Sequence, residues 1–310
     1  MGRRRAVLIA GPTASGKSAL ALKLAQAVGG AVVNADSMQI YRDLRILSAR
    51  PSVEEERQAE HRLYGHVAAD EPYSVGRWRD EAEHVLDELA ERNVPAIVTG
   101  GTGLYFMALA QGLSPVPPVD EAVRAHWRGL VECEGGEGLH ADLAARDPVM
   151  AAALEPADIQ RILRAIEVIE TTGRSLSDWQ AEKGKTVVGP AAPRLVIAPD
   201  RAWLHARINQ RFEAMVDNGG LEEAHALVEM NIDPSTPVMK AIGVRPLAEA
   251  ATGARDLREA IERAKTDTRR YAKRQETWFR NQMVDWPRTR PEEIDETVES
   301  LAAMLENAEQ

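Results

Sequence analysis

The stretch AVLIAGPTASGKSALALKLA, residues 6–25, decides how the rest of the chain reads. Residues 6–10 are aliphatic or small without a polar break, the pattern of a strand buried on both faces. GPTASGKS, residues 11–18, follows and fits G-x-x-x-x-G-K-[ST] at every fixed position, and a helical pattern then runs to residue 28. Strand, loop and helix in that order make a phosphate cradle. The loop of Gly11, Pro12, Thr13, Ala14, Ser15 and Gly16 turns backbone N–H groups toward phosphate oxygens, and the helix N-terminus adds its dipole. Lys17 supplies a point charge, and the Ser18 hydroxyl is placed to ligate Mg2+. A glycine-rich turn serving structure alone accounts for neither the lysine nor the serine. The loop does not say which phosphate compound it holds.

Outward from this point, three further β-branched runs end in turn signals: AVVNA (31–35), VPAIVTG (94–100) and LVIAP (195–199). With helical patterns between them, notably 18–28 and 75–92, they imply a doubly wound α/β core: a P-loop NTPase-like parallel sheet flanked by helices. Between the third and fourth runs lies a long segment that opens on SPVPPVD and closes on VVGPAAP. Its interior reads as helices, the last capped near Asp158 and stopped at Gly173, so it is expected to be an all-helical insertion. The expected division is residues 1–113 for the first part of the core, 114–192 for the insertion, and 193–310 for core completion and C-terminal helices. The acidic last twenty or so residues read as a surface helix.

Composition narrows the classes. No apolar run approaches the roughly 20 residues of a membrane span, and the charged start and apolar run of MGRRRAVLIAG are too short for an export signal. Cys133 is the only cysteine, which excludes an internal disulfide and a cysteine zinc site and fits a reducing cytoplasm. A net charge of −10 argues against indiscriminate coating of nucleic acid. The distribution matters more: residues 255–280 hold nine Lys or Arg against five Asp or Glu, a local reversal suited to an RNA backbone. Trp278 and Phe279 in that stretch either stack on bases or anchor the helix.

Two further loops leave the same sheet edge as the phosphate cradle. Asp36 stands at the tip of the second strand, where a carboxylate is placed for chemistry or serves as a turn residue. The third strand runs into TGGTGLYF (99–106), whose glycines let the backbone pass close to a ligand with Thr102 among them.

The segments GPTASGKS, NADSMQIYRDL, DEPYSVGRWRDEA, GGTGLYFMAL, DIQRILRAIEVIETTG, RINQRFEAMVDNGGLEEA, MKAIGV and RRYAKRQETWFR together resemble the tRNA dimethylallyltransferase (tRNA isopentenylpyrophosphate transferase) family, bacterial type. They occur in family order from about residue 11 to 280. The resemblance implies transfer of a dimethylallyl group from dimethylallyl diphosphate to the exocyclic amine of the adenosine directly 3′ of the anticodon, in tRNAs reading codons that begin with U. It implies Mg2+ as cofactor, a cytoplasmic monomer, and tRNA, through its anticodon stem-loop, as partner, with no membrane. By resemblance, Asp36 is the base and Thr102 orients the leaving group. Arg211 joins the phosphate loop on the diphosphate. Asp36, Ser37, Met38 and Gln39 receive the flipped adenosine together with Thr102. The helix Gln160, Arg161, Ile162, Leu163, Arg164 and the more loosely aligned Arg124 contact tRNA. From spacing alone, Arg161 and Arg164 share a helix face while Ile162, Leu163, Ile166 and Ile169 can bury another, a pattern equally fit for solvated arginines. Arg207 is open to either a substrate or a solvent role. Two departures are plain: Arg50 stands where the family favours lysine, and IGVRP puts Val244 where it favours tyrosine, which leaves Arg50 and Arg245 without a sure contact.

Two rival readings fit parts of the chain. One is a small-molecule enzyme, either a nucleotide kinase using QRILR as a lid or an adenylate prenyltransferase of the cytokinin type. The other is a non-enzymatic RNA-binding protein whose P-loop senses nucleotide.

Overall fold

A computed structural model describes residues 4–134, 136–182 and 184–307. Six parallel strands, β1 (Ala6–Ala10), β2 (Ala31–Asn34), β3 (Glu60–Arg62), β4 (Ala96–Gly100), β5 (Arg194–Ile197) and β6 (Arg288–Thr289), form one sheet in the order β3-β2-β4-β1-β5-β6. The four aliphatic runs supply β1, β2, β4 and β5. Every residue of β1, β2 and β4 is buried, as strands covered on both faces must be.

The period-2 alternation of a strand divides these residues between two cores. Leu8, Ala10, Val33 and Val98 pack with Trp78, Leu86, Phe106 and Phe279. Val7, Ile9, Val32 and Ile97 pack on the opposite face with Leu20, Leu24, Leu301 and Leu305. The helices that deliver these side chains are, in chain order, α1 (Lys17–Val28), α2 (Val53–Glu56), α3 (Val75–Glu91) and α4 (Gly103–Ala110) before the helical segment. That segment holds α5 (Glu121–Glu134), α6 (Leu139–Arg146), α7 (Pro148–Ala153), α8 (Ile159–Thr172) and α9 (Leu176–Ala181). After it come α10 (Arg201–Met215), α11 (Leu221–Glu229), α12 (Val244–Ala251), α13 (Leu257–Gln282) and α14 (Ile294–Asn307).

Two strands lie outside the sequence reading. β3 and β6 are short edge strands built on EHR and RT, and polar edges of this kind carry no apolar run to read. The acidic C-terminal helix α14 is more than a surface element, because Leu301 and Leu305 are buried beneath it with α1 residues.

Two compact units emerge: residues 1–110 with 187–310, and residues 111–186. The second unit has its own core of Trp127, Leu143, Ile162, Ala165, Ile166 and Val168. Within it α8 is N-capped by Asp158, whose carboxylate accepts the Arg161 amide at 3.3 Å, and ends at Gly173 with φ 69°. The Trp127 indole donates to Glu170 at 2.7 Å, and Arg146 lies over the same ring at 4.9 Å.

Candidate active site

The loops after β1, β2 and β4 leave one edge of the sheet side by side, because β1 and β2 both pair with β4 in register: Ala10 opposite Gly100 and Asn34 opposite Thr99. In the first loop Ala14 (φ 65°) and Gly16 (φ 93°) take left-handed conformations that curl the backbone into α1. Lys17 is 7 % exposed, with its ammonium donating to the Pro12 carbonyl at 3.4 Å. Burial pushes its pKa down to about 8; Asp36 opposes that shift and Arg211 adds to it. Ser15 is fully buried, and its Oγ has no hydrogen-bond partner among the described residues. Ser18 stands exposed in the first turn of α1.

Asp36 is fixed by its neighbours. Its amide donates to Asn34 Oδ1 at 2.8 Å, and its own Oδ1 accepts the Met38 amide at 3.0 Å. Oδ2 faces Gly101, where an added Cβ would lie 3.1 Å away. Asn34 is itself held by Leu63 and by the Asp36 carbonyl, and its carbonyl receives the Trp78 indole at 2.9 Å. Thr102 accepts the Ser37 amide at 2.9 Å and lies 3.3 Å from Ser37 Oγ, so the Asp36 and Thr102 loops are tied directly. Only glycine fits at position 100, because a Cβ there would stand 2.0 Å from the Ala35 carbonyl oxygen. Gln39 turns inward, donating to the Ser48 and Ala49 carbonyls.

A cavity of about 360 Å3 opens among these groups. Thr13, Asp36, Ser37, Ser48, Arg211 and Arg274 bring polar atoms to it, and Leu47, Ile208, Phe212, Met215 and Ile242 give it an apolar wall. Arg211 reaches across from α10 to hydrogen-bond the Thr13 hydroxyl. Burial lowers its pKa to about 10, with Asp36 opposing and Arg207 adding to the shift, and it stays cationic at neutral pH. One lysine, one arginine and one carboxylate therefore act on each other across a half-apolar cleft, an arrangement suited to a bound anion beside a proton acceptor.

The chain matches the model of the family described as IPP transferase over residues 39–282, and the one described as Isopentenyl transferase over residues 4–71. The chain belongs to the IPP transferase family. Among its relatives, the tRNA dimethylallyltransferase of Parvibaculum lavamentivorans is 51 % identical over 91 % of this chain and 90 % of its own length. That of Nitrobacter hamburgensis is 52 % identical over 95 % and 93 %. The solved tRNA isopentenylpyrophosphate transferase of Bacillus halodurans superposes with a TM-score of 0.70 at 32 % identity, covering 98 % of each chain. A eukaryotic dimethylallyltransferase described as acting on tRNA gives 0.74 at 28 % identity, over 89 % of this chain and 70 % of its own.

For this IPP transferase the structure sorts the sequence candidates. It gathers Gly11–Ser18, Asp36, Ser37, Met38, Thr102 and Arg211 around one sheet edge, as the contacts above describe. In the helical unit Gln160 and Arg161 are exposed, whereas Ile162 is fully buried in that unit's core. The Ile162 side chain is turned into that core, and the half-buried Leu163 packs against it. Arg164 pairs with the buried Glu167 at 3.9 Å, and burial lowers its pKa; the Glu167 carboxylate opposes this and the nearby Arg124 charge adds to it. Arg124 itself pairs with Glu121 at 2.8 Å. Arg50 turns into its own loop, donating to the Tyr41 and Arg42 carbonyls, and Arg245 pairs with Glu249 on the surface. Arg207 lies over the Trp203 ring at 5.0 Å. Phe279 is buried at 2 % exposure, so of the two aromatic roles it takes the anchoring one.

Sequence reasoning missed Tyr271, Arg274 and Gln275 of α13. The signal was present: Ala264, Thr268, Ala272, Gln275 and Phe279 form the buried stripe of this helix, and a glutamine inside such a stripe needs polar partners.

Proposed function

We propose that this enzyme transfers the dimethylallyl group of dimethylallyl diphosphate to N6 of the adenosine directly 3′ of the anticodon, in tRNAs reading codons that begin with U. The observation that carries the reading is the convergence of a phosphate loop, an immobilised carboxylate and a buried arginine on one half-apolar cavity. The amides of the 11–18 loop, Lys17 and Arg211 bind the diphosphate, and their positive charge stabilises it as negative charge grows on departure. The apolar wall excludes water from the allylic carbon.

The acceptor amine is a weak nucleophile because its lone pair is delocalised into the purine. Asp36 Oδ2 accepts the N6 proton as the N–C bond forms and the allylic C–O bond breaks. Thr102 fixes the Ser37 amide and the Asp36 loop, and its hydroxyl orients the diphosphate. The base must leave its stack to reach this cleft, and residues 36–39 receive it. The outward-facing Lys273 of α13, together with Arg124, Gln160, Arg161 and Arg164 of the helical unit, is assigned to the stem-loop backbone.

A divalent cation fits the donor set. The Ser18 hydroxyl, exposed in the first turn of α1, would ligate it together with diphosphate oxygens and water, a hard-oxygen set suited to Mg2+. When bound, Mg2+ adds charge neutralisation at the leaving diphosphate.

Incubation with labelled dimethylallyl diphosphate and hypomodified tRNA, followed by nucleoside analysis, tests the reaction. Asp36→Ala is expected to cut turnover by ~10²-fold or more while stem-loop affinity holds. A variant that keeps turnover within a few-fold of wild type removes Asp36 from the role of base. Transfer to free adenylate but not to tRNA, or phosphoryl transfer from ATP, moves the enzyme to the rival class.

A further inference from the structure

Gln275 is buried to 5 % exposure on α13 and joins two loops that no other side chain described above connects. Its Oε1 accepts the Thr13 amide of the phosphate loop at 2.9 Å, and its Nε2 donates to the Gly101 carbonyl at 2.9 Å. The orientation of the amide is dictated by its partners, because a flip would set donor against donor and acceptor against acceptor. The amide also lies beside the base. A Cβ on Gly101 would stand 2.3 Å from Gln275 Nε2 and 3.1 Å from Asp36 Oδ2. On the same helix Tyr271 and Arg274 line the cavity, and Trp278 packs on Gly103 so closely that a Cβ there would come within 2.1 Å.

We infer that Gln275 is a positioning residue: it sets the spacing between the loop that holds the diphosphate and the loop that carries Thr102 against Asp36. This inference rests on the proposed transfer reaction for its meaning, but its geometry stands apart from it. Transfer needs the allylic carbon, the amine and the carboxylate in one alignment, and a misplacement of 1 Å costs on the order of 10²-fold. Among the described residues, no other side-chain hydrogen bond joins the 11–16 loop to the 101–103 loop.

Two variants test this. Gln275→Met keeps the length of the side chain and removes both hydrogen bonds; it is expected to lower kcat by ~10²-fold with stem-loop affinity within twofold of wild type. Gln275→Glu tests the amide pattern itself. A protonated carboxyl reproduces it, with C=O accepting from Thr13 and O–H donating to Gly101, whereas the ionised form sets oxygen against oxygen. The ratio of variant to wild-type kcat should therefore fall as pH rises through the pKa of the introduced carboxyl, about tenfold per pH unit. A purely structural contact predicts no such profile. A third readout needs no turnover: inorganic diphosphate should bind Gln275→Met at least tenfold more weakly than wild type. The inference is overturned if Gln275→Met keeps kcat within threefold, if the Gln275→Glu ratio is flat with pH, or if diphosphate affinity is unchanged. A wild type that binds diphosphate but prenylates no tRNA instead sinks the functional reading, and the diphosphate comparison still decides on Gln275.

Discussion

Lys17 should make donor binding lose strength above pH 8. Its ordinary pKa of 10.5 falls to about 8 in the folded, ligand-free protein, and burial is the main cause. That gap corresponds to roughly 3 kcal/mol for holding a buried ammonium without a diphosphate beside it. A diphosphate supplies the missing counter-charge, so the bound state keeps the proton well above pH 8. The dissociation constant of a non-transferable dimethylallyl diphosphate analogue should then be level below pH 8. It should rise about tenfold per pH unit above it, with proton uptake visible in calorimetry with buffers of different ionisation enthalpy. The phosphate's own last proton is gone by pH ~6–7, so the ligand does not titrate in this window. Arg211, with its pKa near 10, enters only at its upper end. Lys17→Arg should flatten the profile and Lys17→Met should abolish tight binding. A wild-type affinity constant to within twofold from pH 7 to 9.5 would refute the assignment.

The sign for stability is opposite. Between pH 8 and 10.5 the unfolded chain still holds the Lys17 proton that the folded protein has released, so this group's contribution to ligand-free stability grows as pH rises. At neutral pH, Lys17→Met should therefore stabilise the empty enzyme while disabling it, a shift that urea denaturation reads directly.

Other perturbations have equally definite outcomes. Gly100→Ala drives a Cβ against the Ala35 carbonyl, a backbone atom that cannot swing aside, and should cost about 3 kcal/mol or more in urea-melt stability. Lys273 is exposed and carries no ion pair among the described residues. Its replacement by alanine should weaken stem-loop binding and reduce the slope of log affinity against log salt by about one, leaving donor affinity nearly unchanged in the same titration series.

The parts of the fold that could be read in advance are those where one physical demand dominates. β1, β2 and β4 must be apolar on both faces, so AVLIA, AVVN and AIVTG stand out in the sequence. EHR and RT become strands only because β2 and β5 offer them a free edge, a fact of tertiary pairing that leaves no local trace. At the site, the phosphate loop is legible because its glycines, lysine and serine are fixed by one ligand chemistry. Asp36 is legible only through its place at a strand tip. Gln275 lies 174 residues from the carbonyl it bonds, and nothing short of the folded helix brings the two together. Ile162 and Ile166 lie on the buried face of α8, as their helical spacing indicates, while Gln160 and Arg161 stand exposed.

The helical segment also leaves and rejoins the α/β core at nearly the same place. Val187 and Val188 both donate their amides to the Leu109 carbonyl, while Gly112 and Gly184 meet so closely that a Cβ on Gly112 would come within 2.5 Å of the opposing backbone. With its two ends held together in this way, the segment is a cassette. Lifted out and bridged by a short turn, it should leave behind an enzyme body that still recognises its small diphosphate substrate and has lost much of its grip on the large one.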